Sequence, residues 1–60
     1  MRDTINALID KLHKREEVCW STANFFIENK DAHGIHDMGV EIQALQRAIA
    51  TLEELLKKCQ

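Results

Sequence analysis

Ile35, Met38, Ile42, Leu45, Ile49, Leu52, Leu56 and Cys59 follow one another at alternating spacings of three and four residues, without a slip. A stripe of that period lies along one side of a helix and demands other helices to cover it. Nothing else in the chain constrains the fold as strongly. With 60 residues there is room for one domain, here taken as 1–60, and a chain so short is marginal on its own. Two glycines, no proline and plentiful Ala, Leu, Glu, Lys and Gln favour helix over strand.

A second amphipathic segment precedes the stripe. Ile5, Leu8, Leu12, Cys19, Ala23 and Phe26 fall on one broad helical face, with Ile9 and Ile27 at its edge. Asp3 or Thr4 is suited to cap this segment. Between the two segments lies Asn29-Lys30-Asp31-Ala32-His33-Gly34. Asp31 can cap the second helix directly, or Gly34 can close the first and Asp37 cap the second. The first arrangement is favoured because the stripe already includes Ile35. The expected fold is therefore all-α, an antiparallel hairpin of helices at about 4–28 and 32–58. Folded about Lys30, residues whose numbers sum to about 61 oppose one another. Ile5 then meets Leu56, Leu12 meets Ile49, Cys19 meets Ile42, Ala23 meets Met38, and Phe26 meets Ile35.

A two-helix hairpin covers only one side of each helix, and these stripes are wide. Two hairpins are expected to close into a four-helix bundle along a core and oligomer seam of Ile5, Leu8, Leu12, Cys19, Phe26, Ile35, Met38, Ile42, Leu45, Ile49, Leu52 and Leu56. Arg15 and Glu16 fall near this seam opposite Leu45. A buried charge is costly unless paired, so they are expected to point outward or to pair with a second chain. Cys19 and Cys59 are placed too far apart for an intrachain disulfide.

Chemistry is harder to find. His33 and His36, flanked by Asp31 and Asp37, lack a zinc-ligand spacing and read as a solvated turn. No cofactor and no metal site is expected. Acid–base catalysis needs positioned groups in a pocket that excludes water, and a narrow bundle offers little room for one, so the chain reads as a non-enzyme. Eight basic and ten acidic residues are spread evenly, with no signal-peptide pattern and no apolar run long enough for a membrane span. The cytoplasm is the expected location. Val18 and Phe25, seven residues apart, lie off the main face, and Trp20 lies at the opposite edge. These three are the candidate partner surface, since aromatic residues are favoured anchors; the alternative is that a dimer interface absorbs them.

Two resemblances add expectations. The hairpin topology resembles that of the Rop-type plasmid copy-number regulators, dimers that bind RNA with one bundle face. Lys11, Lys14 and Arg15 would supply the basic patch, although Glu16 and Glu17 adjoin it, which makes nucleic acid the weaker candidate partner. In size, in its start Met1-Arg2-Asp3-Thr4 and in its mixed charged helices, the whole chain resembles the short helical proteins of the lambdoid phage early (exo–xis) region. That resemblance implies a non-enzymatic accessory protein in the host cytoplasm, modulating host or phage development by binding a host or phage protein. It carries no functional residue with it.

Overall fold

The computed structural model describes residues 1–59. Helix α1 spans Arg2–Glu28 and helix α2 spans Ala32–Lys58, packed against each other as a hairpin. The start of α1 corrects an expectation. Met1 is the cap residue and makes no side-chain cap bond, while Asp3 lies inside the first turn. The Met1 carbonyl accepts the Ile5 N–H at 3.1 Å, which lets the helix begin before Thr4. The Asp3 carboxylate then suits the positive end of the helix dipole.

The turn is built from three residues. Lys30 takes a left-handed conformation at φ 55°. Its N–H donates to the Ile27 carbonyl at 3.0 Å, and the Asp31 N–H donates to the Phe26 carbonyl at 2.9 Å. That pair of bonds is a Schellman closure with lysine where glycine is usual. Asn29 Nδ2 covers another late carbonyl, that of Phe25, at 2.8 Å. Asp31 then caps α2, its Oδ1 accepting the Gly34 N–H at 3.0 Å. Asp37, the alternative cap, lies within the helix.

Between the helices, α2 presents its stripe much as expected. Ile42 and Ile49 are buried, with Met38, Leu45, Leu52 and Leu56 half-buried. Along α1 the seam is Ile5, Ile9, Leu12, Glu16, Cys19, Ala23 and Phe26, spaced four and three throughout. Leu8, expected on this seam, is 45 % exposed, and Ile9 takes the inward place. Ile35 is also turned outward. Gly34 is buried instead, directly beneath the Phe26 ring, where a Cβ would come within 2.5 Å of the ring carbon Cγ. The missing side chain lets the two helices approach near the turn.

The molecule measures 45 × 14 × 9 Å and has a radius of gyration of 14.0 Å. A compact chain of this length would have about 10 Å. Among the described residues, Ile5, Cys19, Ala23, Ile42 and Ile49 form the buried apolar core.

Candidate interaction surface

Halfway along the seam, at the level of Leu45 of α2, α1 contributes a polar layer in place of an apolar side chain. Glu16 occupies a core position of α1, and its side chain is only 17 % exposed. Its Oε2 accepts the Trp20 indole N–H at 3.1 Å and, across the hairpin, the Gln46 amide at 3.2 Å. His13 Nδ1 lies 3.8 Å from its other oxygen. One turn away, Glu41 of α2 reaches back to α1. Arg15 donates to Glu41 Oε2 through Nε and Nη2, each at 2.8 Å, and the Cys19 thiol donates to the same oxygen at 3.2 Å. Arg15 and Glu16 thus find their partners within one chain, where outward orientation or a second chain was expected.

The electrostatics follow from these bonds. Hydrogen bonds from Trp20 and then Gln46 hold the Glu16 carboxyl below its ordinary value. The Cys19 and Arg15 hydrogen bonds do the same for Glu41. The bond to Glu41 pushes Arg15 up in turn. Burial, and then the adjacent Glu41, push the Cys19 thiol up, so it is a neutral donor and a poor nucleophile. Glu16, Glu41 and Cys19 are therefore joined in structural pairings that connect the two helices.

The hairpin has two open edges, and they differ. One carries Leu8 and Leu55, interrupted at mid-length by the Arg15–Glu41 ion pair. The other is a half-open groove of about 350 Å³, walled by Trp20, Ile27 and Ile35 over a floor that includes Ala23, Gly39 and Ile42. Gln43 and Gln46 are its only polar lining, and a Cβ built on Gly39 would meet nothing within 4 Å. Trp20, 50 % exposed, is held at the groove by its bond to Glu16.

The remaining candidates are dispersed. Val18 and Phe25 are exposed on the outer side of α1, away from the Trp20 groove, with Phe25 edge-on to Phe26 at 5.8 Å between ring centres. Arg15, still exposed, is drawn from the basic patch onto Glu41, and Lys11 and Lys14 are the other exposed members. His33 Nε2 lies 3.4 Å from Asp37 on the solvent side. Among the described residues no three metal-ligating side chains cluster, and no helix is long and apolar enough to cross a membrane. The groove was the feature missed from sequence. Its signal was the line Trp20–Ile27 at a spacing of seven, facing Ile35 and Gly39 across the turn. Neither the protein-family models, nor the curated proteins, nor the solved structures contain a match to this chain.

Proposed function

We propose that this hairpin is a small non-enzymatic binding module that works through protein–protein contact and dimerises into a four-helix assembly. The observation that carries the reading is its excess of surface. The chain exposes 4695 Å². A compact monomer of 6.9 kDa exposes about 4,000 Å². The excess, roughly 700 Å², is close to the ~800 Å² that each partner contributes to a standard protein interface. The exposed apolar side chains account for its character: Leu8, Val18, Trp20, Phe25, Ile27, Ile35, Val40 and Leu55 all reach solvent.

At mid-seam Glu16 is bonded by Trp20 and Gln46, and Glu41 by Arg15 and Cys19, which supports a binding role over a catalytic one. The resemblance to short lambdoid early-region proteins supports the same class, an accessory protein whose target is another protein. Sedimentation equilibrium tests the reading. A mass of two chains at micromolar concentration is expected, together with unchanged behaviour when RNA is added at physiological salt. A folded monomer at every concentration would overturn it.

A further inference from the structure

Resting on the dimer reading, we infer that the second copy docks in the Trp20–Gly39 groove, turn half against turn half, so that the two hairpins overlap over only part of their length.

Three observations select this edge and this register. The first is charge. On the Leu8–Leu55 edge a second copy overlapping the turn half would have to cover the Arg15–Glu41 pair, whose side chains are 56 % and 35 % exposed. Removing such a pair from water costs more than its attraction returns unless further hydrogen bonds are supplied. The groove edge has no charged lining residue.

The second is shape. A twofold interface is self-complementary, so each copy must offer both a protrusion and a recess. Here Trp20, Ile27 and Ile35 are the protrusions, and the floor at Ala23 and Gly39 is the recess. The bond from the Trp20 indole N–H to Glu16 fixes the largest protrusion before docking, which lowers the ordering cost of association. With the axis near Ala23 and Gly39, Trp20 of each copy faces Ile27 and Ile35 of the other.

The third is extent. Along the same line of α1, stepping back by sevens from Ile27 and Trp20 gives His13 and then Asn6. On α2 the line through Gly39 and Gln46 continues to Glu53. Apolar character therefore ends at the Glu16–Gln46 layer, and the terminal half of this edge is polar. An in-register bundle would bury that polar half to no advantage. Overlap limited to the turn halves gives a particle roughly 65–70 Å long from the helical rise per residue, against the 45 Å of one hairpin.

The test uses the only tryptophan, Trp20, as reporter, with small-angle X-ray scattering for length. In the wild-type chain the emission should shift to the red on dilution, in step with dissociation, and the dimer should measure roughly 65–70 Å. Gly39→Glu adds a side chain where the hairpin leaves space and replaces glycine by a better helix former, so circular dichroism should be retained. It brings two carboxylates together near the axis and should weaken association by about a hundredfold or more. Leu55→Glu, on the other edge, should leave the dimer and the Trp20 emission unchanged. A wild-type dimer no longer than one hairpin, or one that survives Gly39→Glu and is lost in Leu55→Glu, would overturn this inference while leaving the dimer itself standing. A wild-type chain that stays monomeric would overturn both.

Discussion

Gly34 sets how closely the helices can approach beneath the turn, and its replacement by alanine gives a sharp measure of that contact. A methyl group there would lie 2.5, 2.6 and 2.8 Å from three carbons of the Phe26 ring. All three distances are far inside van der Waals contact, so the ring or the helices must shift. Overpacking of this kind typically costs about 1–3 kcal/mol. Alanine returns up to about 1 kcal/mol of helix propensity. The net expectation is a loss of roughly 1–2 kcal/mol, or on the order of 5–15 °C in melting temperature for so small a domain. The control is Phe26→Ala, which removes the ring. In that background Gly34→Ala meets open space and should stabilise by up to about 1 kcal/mol. The same substitution changes sign, and the coupling between the two positions should be about 2 kcal/mol or more. Circular dichroism melts of all four proteins at one concentration complete the cycle, with trimethylamine oxide added equally so that the weaker variants stay folded. If Gly34→Ala raises the melting temperature in both backgrounds, the Phe26–Gly34 packing described above is wrong.

Lys30 holds a left-handed backbone, so Lys30→Gly should raise stability by about 1 kcal/mol in a denaturant titration; a loss would mean the turn is not closed in this way. The pH dependence has two limbs. Glu16 and Glu41 are held below the ordinary 4.5 by their hydrogen bonds, so their contribution is present above that value and is lost as pH falls through the depressed values. Cys19 is held above its ordinary 9.0 by burial, so its contribution is complete below 9.0 and is lost as pH rises towards the raised value. A melting temperature that is flat through both limits would contradict the polar layer. Phe25 is 60 % exposed, and Phe25→Ala should therefore cost under about 1 kcal/mol. A loss of about 3–5 kcal/mol in the same melt would mark a fully buried ring and place the self-association surface on the outer side of α1.

The two helices differ in how readily the sequence reveals their packing, and the reason is a single residue. On α2 the apolar positions repeat without interruption, and their facing side follows directly. On α1 the repeat passes through Glu16, a charge at a core position. Skipping it leaves Leu8 and Ile9 equally plausible as inward neighbours of Leu12. Only continuing the spacing through Glu16 selects Ile9 and turns Leu8 outward. Opposing residues that sum to about 61 place Gln46 near Arg15 and Glu16, so the Glu16–Gln46 bond was within reach of the sequence. The Arg15–Glu41 pair departs from that sum, because a long guanidinium reaches along the seam to a neighbour more than a turn away. In the sequence Gly34 reads only as a possible end of the first helix. Its use is a close approach to Phe26, which depends on where the helices meet and not on the local sequence. Likewise, Lys30 gives no sign of a left-handed conformation that glycine would have announced.

The polar layer divides the seam into halves of different build, which would gain differently from the proposed second copy. The terminal half is filled by Ile5, Ile9, Leu12, Ile49, Leu52 and Leu56, all large aliphatic side chains that can meet in the middle. In the turn half α1 contributes Cys19 and Ala23 against Met38 and Ile42 of α2, and Gly34 lies beneath Phe26. Each missing methylene forgoes about 0.8 kcal/mol of burial, so α1 brings the smaller side chains to this half. The large apolar groups that could have thickened it, Trp20, Ile27 and Ile35, stand at the groove rim instead. A sequence under selection for monomer stability alone would place them in the seam and the small residues outside. The layer fixes the register that makes this arrangement possible, since sliding one helix by a heptad would part Glu16 from Gln46 and Glu41 from Arg15, leaving charges at the seam without partners. The terminal half thus holds the hairpin closed, the layer holds it aligned, and the turn half leaves its large apolar side chains at the open groove.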